Sequence, residues 1–305
     1  MMKKLIAAAL LIGVAALAVF WWLSAPAALS EEQRASLTEG DAAAGETMFW
    51  AGGCGSCHAE KSAKGDAKKL LGGGHRLNTP AGIFVTPNIS PDGETGIGNW
   101  TLEQFANAMW NGVSPGGRHY YPSFPYSSYI RMTGEDISNL FAYLKTLEPV
   151  SRANEPHDLP LPLNFRRGIG LWKTAFLDAA PVKQDIDADE MLLRGRYLVE
   201  GPGHCGECHT PRTVFGFGGM DESRWLAGGP APEGDGKIPN ITPHEKGLES
   251  WSAGDIASYL ESGFTPDFDS VGGTMVSVQE NMARLSKEDR AAIAAYLKAI
   301  PAVGN

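Results

Sequence analysis

Cysteine is nearly absent. The 305 residues contain four, and Cys54, Cys57, Cys205 and Cys208 are all consumed by two Cys-x-x-Cys-His clusters, so no thiol remains for a disulfide framework elsewhere. Acidic residues are missing from the first 30 positions, where Lys3 and Lys4 are the only charges. Basic residues are the minority thereafter. The formal charge is −9 overall and −11 without those two lysines. An acidic body of this kind repels nucleic acid and favours a basic or mixed-charge partner. Alternation at strand period is not convincing anywhere, which argues against a fold built on sheets. The 43% of hydrophobic residues excludes wholesale disorder.

What is present begins with one long apolar run, Leu5–Leu23, behind Lys3 and Lys4. Its 19 residues span roughly 28 Å as a helix, close to the thickness of a bilayer core. Trp21 and Trp22 stand at its far end, where aromatic rings favour the membrane interface. Residues 1–29 therefore read as a single-pass inner-membrane anchor with a cytoplasmic N-terminus. The alternative is a signal peptide cleaved near Ala25-Pro26-Ala27. Both readings export residues 30–305 to the periplasm. The 37 glycines and 20 prolines point to short elements joined by long loops.

The exported part is duplicated. Cys54 and Cys205 lie 151 residues apart, as do Trp100 and Trp251, and "NGVSP" (111–115) and "SGFTP" (262–266). "PNISPDGETGIGNWTLEQF" (87–105) matches "PNITPHEKGLESWSAGDI" (239–256), and 132–150 matches 285–303 with a small shift. One structural unit is thus used twice. The expected fold is mainly α, with units at 38–150 and 187–303 and a proline-rich linker at 151–186 carrying a short apolar helix near Gly168–Leu177. Asp41 and Asp187 are expected to cap the helices that run into the clusters. Thr101 with Gln104, Ser252 with Asp255, Thr133 with Asp136, and Ser286 with Asp289 have capping-box spacing before later helices. The last helices are expected to bury Ile137, Leu140, Phe141 and Leu144, and Ile293, Tyr296 and Leu297.

Cys-x-x-Cys-His is the attachment signature of c-type haem. Two thiols one helical turn apart reach the two vinyl groups of one porphyrin, and the adjacent histidine points its imidazole at the iron from the same side. The expected cofactors are two covalent haem c groups. Cys54 and Cys57 would hold one with His58 as its iron ligand, and Cys205 and Cys208 the other with His209. A zinc site would need the two pairs to converge, although each lies in its own unit. A thioredoxin-type dithiol would need a strand–helix context. Disulfides closing two-residue loops would stabilise little. For the sixth ligand, Met275 in the glycine-rich stretch before Ser286 suits the second haem, with Met282 in reserve. Displacing Met275 by 151 lands on Phe124, which cannot bind iron, so Met132 is the candidate in unit one. Its repeat partner is Leu285, an apolar residue before a helix start, so core packing competes with ligation at Met132. Met109, His119 or an open iron are the remaining possibilities there. Trp100, Trp251, Asn88, Asn240, Arg76 and Arg212 could reach haem propionates, against the simpler roles of packing and turn formation. His75, His157 and His244 read as ordinary surface or loop residues.

"CGSCH", "PNISPDGETGIGNW", "GRHYYPSFPYSSYIRMTGED" and "GHCGECHTPR" together resemble the c-type cytochrome family that includes the cytochrome subunits of membrane-bound bacterial alcohol, gluconate and related dehydrogenases. The resemblance covers about 40–303. It implies two tandem cytochrome c domains that take electrons from a dehydrogenase and pass them to a quinone, another cytochrome or an oxidase in a respiratory chain. Those subunits typically carry three haem motifs, and methionine where Phe124 stands. The resemblance is therefore to a dihaem member, and the dehydrogenase substrate does not carry over. The competing class is a dihaem enzyme (a peroxidase or thiosulfate-type oxidoreductase) or a gas sensor, with an open haem in the first domain.

Overall fold

The computed structural model describes residues 1–183, 186, 189–231 and 236–304. The apolar run forms α1 (Met2–Leu23), and a single turn, α2 (Glu31–Ala35), follows it. The N-terminal half continues through α3 (Ala42–Ala51), α4 (Cys54–His58), strands β1 (Arg76–Thr79) and β2 (Gly82–Val85), α5 (Leu102–Asn111), α6 (Tyr126–Tyr129) and α7 (Gly134–Thr146). After α8 (Gly168–Phe176) come α9 (Glu190–Glu200), α10 (Gly206–His209), strands β3 (Gly229–Pro230) and β4 (Lys237–Ile238), α11 (Ala253–Ser262), α12 (Met275–Met282) and α13 (Lys287–Ala299). The fold is mainly helical, as expected. The two antiparallel hairpins, β1–β2 and β3–β4, were not foreseen; strands of four and two residues are too short to show a period.

Local polar chemistry starts the helices. Thr101 and Gln104 form a reciprocal capping box ahead of α5, and Ser252 and Asp255 do the same ahead of α11. Thr133 and Ser286 cap α7 and α13 through their hydroxyls. Asp41 caps α3, accepting from the Ala43 N–H. Asp187 lies outside the described residues, and the cap of α9 is Asp189, which accepts from the Met191 N–H.

In each half the helix leading to the cluster packs against the last helix, α3 on α7 and α9 on α13. Glycine permits both crossings. A Cβ on Gly45 would sit 2.0 Å from the Asn139 carbonyl oxygen, and one on Gly195 would sit 2.0 Å from that of Ala292. Around these crossings Ile137, Leu140, Leu144, Ile293, Tyr296 and Leu297 are buried, while Phe141 lies at the edge and stacks on Phe105 with centroids 5.0 Å apart. Polar contacts tie the halves together: the Tyr197 hydroxyl donates to Asp136, 2.5 Å away.

The segment between the halves is docked on both. His157 accepts from the Val85 N–H, and Arg131 donates to the Ala180 carbonyl. Buried Glu200 accepts from the N–H groups of Val182 and Lys183 and from the Tyr296 hydroxyl. Helix α1 has no buried residue, yet its end is seated: Ser24 is fully buried, bonded to Arg167 through its hydroxyl and to His119 Nε2 through its carbonyl.

Candidate haem-attachment sites

Each Cys-x-x-Cys-His cluster is wound into a single helical turn, α4 in one half and α10 in the other. The residue before the first cysteine has a left-handed backbone in both: Gly53 has φ 59° and His204 has φ 39°. That turn places the cysteines and histidine of each cluster side by side on one short helix.

The two histidines are held identically. His58 Nδ1 is 2.7 Å from the Pro87 carbonyl oxygen, and His209 Nδ1 is 2.9 Å from that of Pro239. A carbonyl only accepts, so Nδ1 carries the proton and the lone pair is on Nε2, the tautomer and orientation needed to bind a metal. Neither Nε2 makes a hydrogen bond among the described residues. Burial pushes both imidazoles below their ordinary pKa, favouring the neutral form that ligation requires. The backbone on the far side is fixed as well. The N–H groups of Gly73 and Gly228 donate to the carbonyls of His58 and His209, each at 2.7 Å. Both glycines have positive φ, and a Cβ would meet the following loop at 2.4 Å at Gly73 and 2.6 Å at Gly228.

The matching "PNIS" and "PNIT" loops are thus imidazole supports. Asn88 Nδ2 donates to the Val150 carbonyl and Oδ1 accepts from the Ser90 N–H; Asn240 repeats this with Val303 and Thr242. Both amides are turn-makers that pin the loop to the chain beyond the last helix. Trp100 and Trp251 are half-buried against the core. Arg76 pairs with Glu155, and Arg212 with Glu207. His75 is not an ordinary surface residue. Its Nδ1 is buried without a hydrogen-bond partner, and it lies within electrostatic reach of His58.

Each cluster is also gripped by the opposite half, through the residue just before its second cysteine. Ser56 accepts from Asn281 at 2.8 Å and shares a 2.8 Å hydrogen bond with Ser277, both on α12. Buried Lys68 reinforces this side, bonding Ser277 and Asn281 and pairing with Glu280 at 2.8 Å. Reciprocally, Glu207 accepts from Ser127 and Ser128 on α6 at 2.8 and 2.9 Å. Between the clusters, the Gly52 carbonyl accepts from the Tyr129 hydroxyl at 3.1 Å and lies 3.2 Å from His204 Nε2.

This chemistry fits haem better than its rivals. No disulfide links the cysteines. Burial pushes the Cys54 and Cys205 thiols up to about 12, the reverse of the depressed pKa of a reactive dithiol. Among the described residues no group of three His, Cys, Asp or Glu converges, as zinc would require. Two cysteines and an Nε2-presenting histidine on one turn, with the unpartnered His75 Nδ1 within electrostatic reach of His58, suit a covalently bound haem.

The methionines differ. Met132 is buried to 4% exposure, just before the cap of α7, and its carbonyl accepts from the Trp110 indole. Its repeat partner Leu285 is equally buried. Met275 is half-buried and is the first residue of α12, rather than a loop residue; only Thr274 separates it from the glycine pair 272–273. Met282 and Met109 are buried in the core. Both ring nitrogens of His119 are engaged, by Ser24 and Lys173, so it has no nitrogen left for iron.

Residues 42–148 match the family model for cytochrome c. Over its full length the chain is 53% identical to a protein of Cereibacter sphaeroides named "Diheme cytochrome c-type", covering 99% of this chain and 100% of that one. The chain belongs to the c-type cytochromes. This cytochrome is also 36% identical to the fructose dehydrogenase cytochrome subunit of Gluconobacter japonicus, and 36% identical to the gluconate 2-dehydrogenase cytochrome c subunit of Pantoea cypripedii. Each match takes in 85% of the cytochrome but only 52% and 59% of those subunits. Family membership supports covalent haem c. The Pro87 and Pro239 carbonyls, Gly73, Gly228, Ser56 and Lys68 escaped sequence reasoning. The only available signal was the repeated "PNIS/PNIT" pattern, whose functional atom belongs to the backbone.

Proposed function

We propose that this cytochrome is a dihaem electron carrier of two tandem cytochrome c domains, 38–150 and 187–303, joined by 151–186 and anchored through 1–29 in the inner membrane with its domains in the periplasm. The duplicated Nδ1-to-proline-carbonyl hydrogen bond is the observation that carries the reading, because it presents two imidazole Nε2 atoms in the same way. Cys54, Cys57 and His58 hold one haem, and Cys205, Cys208 and His209 the other. Met275 and Met132 are the proposed sixth ligands. Haem supplies reversible one-electron chemistry, and no residue of the chain needs to act as acid or base. The protein locks the imidazoles, excludes water and holds the clusters together. The electron donor is a dehydrogenase, by likeness to the subunits named above, and the acceptor is a quinone, a cytochrome or an oxidase.

The exported protein should carry two haems by mass and by pyridine haemochrome assay, and one after Cys205→Ala with Cys208→Ala. Zinc in place of iron would overturn the reading. Met275→Ala and Met132→Ala should each abolish the thioether-to-ferric charge-transfer band of one haem and lower its potential. Wild-type protein that binds cyanide at one haem would show an open iron and exclude a pure carrier.

A further inference from the structure

Outside α1, one group of exposed large apolar side chains lies beside the point where α1 meets the body. Phe165 stacks on Phe20 with ring centroids 6.2 Å apart, level with the last turn of the apolar helix. Leu161, 80% exposed, precedes it, and Leu171 and Phe176 follow on the outer side of α8. The Trp172 indole then donates to the Phe217 carbonyl at 2.9 Å, attaching the 214–217 loop to α8. On that loop Phe217 is half exposed and Phe215 is 99% exposed. The order in space is therefore α1, α8, aromatic loop.

The loop is not required by the duplicated fold. Its counterpart in the N-terminal half is Ala63-Lys64-Gly65-Asp66, a polar stretch. Val214 and Phe215 have φ of 48° and 55°, a left-handed backbone unfavourable for both residue types. A fold that holds a phenylalanine fully in solvent on such a backbone exposes it for contact.

Charge agrees. Arg166 and Arg167 lie on the same segment, and neither makes a salt bridge among the described residues; they bond backbone carbonyls and the Ser24 hydroxyl. Arg167 also covers the Trp21 ring at 4.4 Å. Unneutralised cations in an acidic chain, collected beside an apolar patch at the exit of a hydrophobic helix, match an anionic bilayer surface.

We infer that α8 and the 214–217 loop form a second membrane contact, lying flat in the headgroup region of the bilayer that α1 enters. The inference rests on the reading of α1 as a membrane span. Phe165 sits at interface depth beside α1, while Phe215 and Phe217 insert from the C-terminal half, so both halves touch the membrane.

The test uses full-length holoprotein in nanodiscs of phosphatidylethanolamine and phosphatidylglycerol, doped with a lipid carrying a photoreactive diazirine near its headgroup. Adducts are mapped by mass spectrometry. Labelling should appear on the end of α1, on 161–176 and on 214–217. Phe215→Ser with Phe217→Ser should abolish labelling at 214–217 and spare the other two sites, with the haem content unchanged. Labelling confined to α1 overturns the second contact and leaves the anchor standing, as does cross-linking of the patch to a second copy instead of lipid. Labelling of the patch in a chain whose mature N-terminus lies near Ala28 supports the contact and removes the anchor.

Discussion

The loop Val113–His119 and its counterpart Phe264–Ser270 show how the halves diverge. Each is closed by one isolated β-bridge between its end residues, 151 positions apart in the chain. In the N-terminal half the loop is roofed: residues 26–29 line a cavity of about 390 Å³ against it, and His119 is buried beneath Ser24. In the C-terminal half the loop is open among the described residues, and Phe268 is 88% exposed beside Asp267 and Asp269. The same backbone thus stands in two different surroundings. One copy seats the end of α1, and the other is an open surface with an apolar centre and acidic rim, of the kind that suits a basic partner.

The sharpest way to break the equivalence of the halves is at their helix crossings. Gly45→Ala and Gly195→Ala each drive a methyl into a carbonyl oxygen, and each should cost about 3 kcal/mol as overpacking. Calorimetry should show similar losses. A large loss at one site and none at the other would mean the crossings are not equivalent. A smaller effect tests the roof. His119→Ala removes hydrogen bonds to Ser24 and Lys173 and should cost about 1–2 kcal/mol, whereas Ser270→Ala, at the matching exposed position, should cost almost nothing. Equal costs would erase the distinction. The smallest effect on stability, within about 0.5 kcal/mol, is expected from Phe264→Ser with Phe268→Ser. That variant should nonetheless slow electron exchange with a basic partner cytochrome at low salt, as followed by stopped flow; an unchanged rate would remove the open loop as a docking surface.

What could be read in advance was what is local or repeated. The capping boxes at Thr101–Gln104 and Ser252–Asp255 are set by residues three apart, and the apolar faces of α7 and α13 by helical period. The cluster residues announce themselves by spacing. What stayed hidden depends on backbone atoms or distant partners. Nothing in a proline's identity says that its carbonyl will hold an imidazole 29 residues away. Nothing around Ser56 points to Asn281. Met275 reads as a loop residue because a glycine pair precedes it, although helix α12 starts there. Gly73 and Gly228 were two among 37 glycines until their positive φ and close approaches singled them out.

The reciprocal grip on the clusters has a consequence for maturation. Ser56 is contacted by Asn281, 225 residues later in the chain, while Glu207 meets Ser127 and Ser128, already made some 80 residues earlier. During synthesis the first cluster emerges long before its clamp exists, and the second emerges to find its clamp ready. The first cluster therefore stays open for as long as the rest of the chain takes to arrive. Closing it is a non-local event that comes late, because loop closure over such a span is slow compared with helix formation. Sealing of the first cluster thus follows folding of the second half, and a chain cut after residue 150 would present its cluster permanently unsealed.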